Sequence, residues 1–446
     1  MKLQRKVAPS VSDGRPHSDE ARYPVRIAYL VSTYPAVSHT FIMREVSSLR
    51  QARFEVCVAS INPPDRPTGQ LTVQERREAE TTFYIKQQGV RGAAYAHLSH
   101  AIRSPWSYFS ALWFSLTLAG YDLGQLVFSL FYFTEALILG RWLKSQNVRH
   151  VHVHFANAAA TVGLIASRIF PIEFSLSVHG PDEFFETRGL RLAEKIAGAS
   201  FVRCIGNFAR SQVMKLSSPG EWGKFEIARL GVDPAQFAPL GRHRHSETVE
   251  ILCVGRLVPA KGQHVLLAAI GQAVKSVPNL RLRLVGDGPD RASLTREIAA
   301  ANLGDHVFIE GNVNQDRIRD YYRTTDIFVL ASFAEGIPVV LMEAMSMEIP
   351  CISTFVAGIP ELIRNEVDGI LVPPSDVPEL TGAIMQLIKD PQLRRRLGAA
   401  GRRRVLEQFN LERNVPRLAQ TFADRISERR ASKNSTDDWR VSRTSN

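Results

Sequence analysis

Short β-branched runs alternate with helix-length segments along two stretches of the chain, and a polar, proline-containing break separates the two stretches. These observations predict an α/β fold of two Rossmann-like domains, each with a parallel sheet and crossover helices, facing each other across a cleft. The length of 446 residues agrees, being too great for one ordinary core and ample for two.

The first domain, residues 24–238, has candidate strands at 25–32, 54–60, 150–155, 174–179 and 201–205, with helical patterns at 39–52 and 157–168. A break follows at 233–248, with Pro234, Pro239 and the basic His243-Arg244-His245. The second domain, 248–415, has candidate strands at 250–254, 280–285, 306–310, 327–331, 351–354 and 370–372, and helical patterns at 264–277 and 292–302. Residues 1–23 are polar, with no apolar signal-like core, and are expected to be an unstructured tail. Residues 416–446 are expected to finish a helix and end in an Arg/Ser-rich unstructured tail.

With 45% hydrophobic and 22% charged residues the composition is that of a soluble globular protein, expected in the cytoplasm or peripherally on the inner membrane face. A formal charge of +11 should attract anions: nucleic acid, anionic lipid or phosphorylated small molecules. The basic residues are scattered without interleaved aromatics, which argues against nucleic acid. Cys57, Cys204, Cys253 and Cys351 each lie in an apolar run with no CxxC spacing, as buried thiols do, and neither zinc nor a disulfide framework is expected. Residues 106–143 are the most apolar stretch, interrupted by Asp122, Gln125, Glu135 and Arg141, and read as two amphipathic or buried helices with scope for peripheral membrane contact. Arg394–Arg396 and Arg402–Arg404 read as a solvated basic helix face.

Two loops carry the chemistry. In Glu335-Gly336-Ile337-Pro338-Val339-Val340-Leu341-Met342-Glu343, Ala331-Ser332 ends a strand and Pro338 suits the first turn of a helix. Glu335 then sits in the loop and Glu343 about two turns into the helix, flanking a helix entry whose Gly336 and Ile337 amides suit a phosphate. Carboxylates there are poorly placed for phosphate and well placed for hydroxyls on either side of it, the layout that a nucleotide sugar requires. In Gly255-Arg256-Leu257-Val258-Pro259-Ala260-Lys261-Gly262, directly after a strand, Arg256 and Lys261 offer two cations to a diphosphate. Gly286-Asp287-Gly288-Pro289-Asp290-Arg291 lacks the third glycine of a dinucleotide fingerprint, so a dehydrogenase is unsupported. No Asp-x-Asp triplet is present to hold a divalent metal on a nucleotide sugar.

Gly255-Arg256…Lys261-Gly262 with Glu335 and Glu343 resembles glycosyltransferase family 4, retaining enzymes of the two-domain GT-B fold. Gly231-Val232-Asp233 and Phe237-Ala238-Pro239 match that family's domain boundary. Tyr34–Ile42, His152-Val153-His154-Phe155 and His179-Gly180-Pro181-Asp182 resemble its exopolysaccharide branch, as in colanic acid or amylovoran synthesis. The first loop departs from the wider family, with Pro35 to Thr40 where many members carry paired glycines. The resemblance implies Arg256 and Lys261 at the diphosphate, Glu335 at the transferred sugar, Glu343 at the ribose, Gly311-Asn312-Val313 near the base and His179 beside the reacting sugar. Catalytic duty would fall to His179, Glu335, Arg256 and Lys261, with no metal or cofactor. Ser38, His39 and Thr40 would face a saccharide or polyprenyl-diphosphate-linked acceptor. The competing readings are a sugar-nucleotide epimerase on the same fold and a catalytically silent binding protein at an anionic membrane or assembly complex.

Overall fold

The computed structural model describes residues 25–443 apart from 121, 186, 188 and 240–247; the side chains of 38, 315 and 428–443 also fall outside the description. The tail expected at 1–23 and half of the interdomain break therefore lie outside the described residues.

Seven strands form the first sheet: β1 (Arg26–Thr33), β2 (Glu55–Asn62), β3 (Phe83–Tyr84), β4 (His150–His154), β5 (Glu173–Val178), β6 (Val202–Cys204) and β7 (Phe225–Ile227), in the order β3-β2-β1-β4-β5-β6-β7. Six form the second: β8 (Val249–Val254), β9 (Leu280–Val285), β10 (Val307–Gly311), β11 (Ile327–Leu330), β12 (Cys351–Thr354) and β13 (Ile370–Val372), in the order β10-β9-β8-β11-β12-β13. Every pairing is parallel, from Arg26 opposite Glu55 to Val254 opposite Val285. All strand C-termini in a sheet thus share one edge, and the loops leaving them form the cleft. β3 and β7, two and three residues long, are strands that the sequence reading did not expect.

In the first domain α1 (Thr40–Gln51) follows β1, and α2 (Val73–Thr81) opens on a capping box between Thr72 and Glu75. Three helices then enter between β3 and β4: α3 (Gly89–Arg103), α4 (Pro105–Ala119) and α5 (Leu123–Ser145). The last two occupy the apolar stretch, as expected. By length and composition α5 could cross a membrane, but here Phe133, Leu137, Leu139 and Leu143 of its C-terminal half are built into the first core. α6 (Ala158–Ile169) packs beneath them, almost wholly buried.

The domain boundaries differ from expectation at both crossings. Leu230, Val232 and Phe237 lie in the second core cluster, because the connecting segment anchors itself by its apolar residues. The C-terminal helix, Leu411–Arg443, returns to the first domain, where Val415, Leu418, Phe422 and Ile426 pack with Ile27, Tyr29, Ile42 and Phe201. Its backbone runs on to Arg443 where an unstructured tail was expected, and residues 427–443 contain neither glycine nor proline. The two crossings touch: Val232 pairs with Asn410, and a Cβ on Gly231 would lie 2.6 Å from the Leu411 nitrogen. Of the expected basic face, Arg395, Arg396 and Arg403 are exposed, and the other three arginines are engaged. Arg394 donates to the carbonyls of Leu387 and Ile388, Arg402 to Ser346, and Arg404 to Glu361. Guanidinium groups here satisfy helix-end carbonyls that would otherwise lack a partner.

Candidate functional site

The loops after β8, β9, β10 and β11 meet on one edge of the second sheet, so the residues singled out there are neighbours. Gly262 adopts φ 62, and a Cβ there would lie 2.1 Å from the Ala331 carbonyl oxygen, so only glycine lets these two loops touch. That contact carries Lys261 to Glu335: Nζ donates to Oε1 at 2.5 Å, and Ser332 Oγ donates to the same oxygen at 2.8 Å. Both charges are largely buried. Arg256, on the same loop, stays open, and its guanidinium stands 3.5 Å from Asp182 across the cleft.

Gly336 is pressed against the first domain, where a Cβ would sit 1.9 Å from the His179 carbonyl oxygen. The turn that carries Glu335 therefore touches the turn that carries His179. Ile337 is buried. Pro338 occupies the N-cap rather than the first turn of the helix Val339–Ser346. Gly311 closes β10 at φ 75, with Asn312 and Val313 leaving on the same edge.

Glu343 is not open to the cleft. Its Oε1 accepts from Arg44 Nη2 of α1 at 3.0 Å, and its Oε2 from the Tyr322 hydroxyl at 3.0 Å. Arg44 also lies over the Phe237 ring. A second link joins the domains: Glu361 accepts from the Asn207 and Phe208 amides and caps the helix Asn207–Lys215.

On the first domain's edge the 3-10 turn Val37–His39 precedes Thr40, the first residue of α1; the Ser38 side chain is among those not described. His39 packs on the Phe155 ring, and burial, helped by His154 and Arg256, pushes its pKa down to about 4. His179 directly follows β5, in contact with Phe41 and Phe155. Its Nε2 is 3.0 Å from His154 Nδ1, while its Nδ1 is buried without a partner. Burial, reinforced by the charges of His154 and Arg203, holds the His179 ring well below the usual imidazole range, hence neutral.

Behind His179 lies a buried polar network that sequence reading missed. His154 Nε2 is 3.4 Å from Glu45, which accepts from the Tyr29 hydroxyl at 2.7 Å and from Arg203 at 2.7 Å. Burial alone would raise the Glu45 carboxyl; Arg203, with His154 and Tyr29, holds it well below the carboxylate range instead. His152 bonds Ser175 and Ser177, so it is a packed core residue and not a ligand. Glu183 was missed as well. Its carboxylate accepts from the His179, Gly180 and Ala156 amides, tying the turns after β4 and β5 together. Burial raises it to about 7 against the effect of those amides. The signal available was the acid that follows His179-Gly180-Pro181-Asp182, two residues into the next helix.

Residues 242–404 match the family model described as glycosyl transferases group 1. The chain is 25% identical to the putative colanic acid biosynthesis glycosyltransferase WcaL of Escherichia coli over 79% of this chain and 88% of that protein. It is also 25% identical to a GDP-mannose-dependent alpha-(1-6)-phosphatidylinositol monomannoside mannosyltransferase of Mycolicibacterium smegmatis, over 67% of this chain and 82% of that one. Among solved structures, sucrose-phosphate synthase from Thermosynechococcus elongatus superposes with a TM-score of 0.71 at 21% identity, covering 91% of this chain and all of that one. Anabaena HepE in complex with UDP and glucose gives 0.68 at 18% identity over 90% of this chain and 100% of its own. Both likenesses establish the GT-B architecture of two facing parallel-sheet domains. Family match, relatives and fold agree: residues 242–404 match the group 1 glycosyltransferases, within a chain of GT-B architecture.

Proposed function

We propose that the protein is a retaining, metal-independent glycosyltransferase that moves a sugar from a nucleoside-diphosphate donor to a saccharide or polyprenyl-diphosphate-linked acceptor. Its setting would be exopolysaccharide or other cell-surface glycan assembly on the cytoplasmic side. One observation carries the reading: Lys261, Glu335 and His179 meet on facing loops, with Arg256 open beside them. The relatives named for colanic acid synthesis and for GDP-mannose, and the HepE structure with UDP and glucose, support the class of donor and product.

A diphosphate entering the cleft would draw Lys261 away from Glu335 and meet Arg256, so that two cations stabilise the departing phosphate oxygen. Glu335, released, would accept from sugar hydroxyls and fix the ring. The acceptor oxygen attacks the anomeric carbon on the face the diphosphate leaves. As the carbon–oxygen bond breaks, its electron pair stays on the phosphate oxygen, which takes the acceptor's proton. Neutral His179 would orient the sugar by a hydrogen bond through Nδ1. Gly311-Asn312-Val313 would border the base. Glu343 would reach the ribose once Arg44 and Tyr322 yield it.

The test is a panel of nucleotide sugars scored by thermal shift, then by nucleoside-diphosphate release with and without oligosaccharide or polyprenyl-linked acceptors, with the product anomer assigned by NMR. Acceptor-dependent release with retention is expected. Donor conversion without acceptor would replace the reading with an epimerase, and absence of turnover with any donor would leave a binding protein.

A further inference from the structure

The first domain carries a second site at the end remote from the cleft. A cavity of about 790 Å³ opens where α3 ends, α4 begins and α5 ends, at the starts of β1, β4 and β5. Arg26, Arg103, Arg141, Lys144 and Arg149 line it, with Glu173 as the one carboxylate among the described lining residues. Arg26 is held by Glu55 and the Gln146 carbonyl, and Arg141 lies over the Tyr95 ring. Arg103, Lys144 and Arg149 form no ion pair with a described residue. Helix C-termini favour nearby cations, but that accounts for one each, not for a converging set around an open cavity. The rest of the wall is mixed, with Val148, Ile169, Phe170, Ile172 and Ile426 beside the polar Ser99, His100, Ser104, Asn147 and His150.

The surface next to this cavity is equally unusual. Most of the large apolar side chains exposed among the described residues lie on α3, α4 and α5, including Leu98, Ile102, Trp106 (88% exposed), Phe109, Trp113 (70%) and Phe131. Ile102 and Trp106 flank the cavity-lining Arg103 and Ser104 in sequence, at the end of α3 and the start of α4. From Gly89 to Thr134 the one acidic residue is Asp122. α5 enters the sheet by running back to the start of β4, so its exposed N-terminal turns lie toward the cleft and its last turn at the cavity. A soluble monomer rarely exposes so much contiguous apolar surface without a partner. Large aromatics, scarce acids and a terminal group of cations are the complement of one surface, a bilayer with negatively charged headgroups.

We infer that α3, α4 and α5 lie on a membrane and that the cavity lined by Arg103, Lys144 and Arg149 receives the phosphate headgroup of an anionic phospholipid. This goes beyond the transfer reaction and does not depend on it. The cations supply selectivity for charge, the polar lining residues meet the headgroup's oxygens, and Ile169, Phe170 and Ile172 accommodate the first carbons of an acyl chain.

Flotation of the full-length protein with phosphatidylcholine vesicles, with and without phosphatidylglycerol, tests it. Binding is expected only with the anionic lipid, falling as salt rises. Arg103→Glu, Lys144→Glu and Arg149→Glu combined should lower the partition coefficient by roughly a hundredfold. Arg395→Glu with Arg403→Glu, a reversal elsewhere on the surface, should barely change it. Trp106→Ser should lower binding about tenfold at every salt concentration. Circular dichroism melts keep misfolding separate, and Lys144→Ala, the mildest change, should still weaken binding. Equal binding to both vesicles, equal loss in the control, or no flotation would overturn the proposal. So would a dimer in sedimentation that hides Trp106, or calorimetric binding of inorganic phosphate without vesicle binding.

Discussion

The two domains share an architecture and differ in where they keep their charges. In the second, Arg256, Lys261 and Glu335 are on short loops at the sheet's edge, over a mainly apolar core, and Glu343 is the buried exception on a helix. In the first, Glu45, His154, His179, Arg203 and Tyr29 run from the cleft down into the sheet as a connected polar network. An edge site can be rebuilt by changing a loop. A site rooted in the core ties chemistry to stability, because every buried polar group must keep its partners.

The sharpest break of that contrast is Arg203→Leu. It strips Glu45 of its buried counter-charge and should cost about 3–5 kcal/mol of first-domain stability, read by urea unfolding. Arg256→Ala in the other domain should cost almost none. If both mutants melt alike, the contrast fails. Next in size is Glu335→Gln, expected to lower turnover by about a hundred- to a thousandfold while calorimetry finds nucleoside-diphosphate affinity nearly unchanged, since that ligand carries no sugar. Arg256→Ala and Lys261→Ala should each weaken the same affinity by roughly ten- to a hundredfold, the loss of one charge-assisted contact. Unaltered affinity in both would remove the clamp.

Acid sensitivity should also separate the domains. His39, His152, His154 and His179 all have lowered pKa values, with burial the first cause. Below 6.5 the unfolded chain binds protons that these folded imidazoles refuse, so their contribution to stability is full above 6.5 and is lost as pH falls toward 4, with Glu183, raised to about 7, offsetting part of it. Fluorescence and circular dichroism followed through that window should find the first domain unfolding before the second. Simultaneous unfolding would show that the histidines do not set its acid limit. The smallest effect is at the interface. Arg44→Ala frees Glu343, and a slightly larger radius of gyration in solution scattering is expected, with tighter nucleotide binding if the ribose takes Arg44's place.

The same difference explains what could be read in advance. The second domain's site was legible because its signals are local: a strand, a glycine, a cation or an acid, and a helix within a dozen residues. Even there, the pairing of Lys261 with Glu335 spans 74 positions and was invisible, as was that of Arg44 with Glu343, 299 positions apart. The buried network joins Glu45 to Arg203 across 158 positions, and only the sheet order brings them together. Arg394, Arg402 and Arg404 looked like exposed surface charge, as Arg395, Arg396 and Arg403 are, because nothing in a helical repeat reveals which carbonyls its neighbours leave unsatisfied.

The return of the C-terminal helix has a consequence for how the protein is made. Domains ordinarily fold as they leave the ribosome, the first one first. Here the cluster around Ile27, Tyr29 and Phe201 is incomplete until Phe422 and Ile426 have been synthesised. The domain that begins the chain is therefore the one finished last, and release of nearly the whole polypeptide precedes the closing of its oldest core. A stop at residue 410, which leaves every strand of both sheets in place, should yield a folded second domain attached to a first domain with a missing wall.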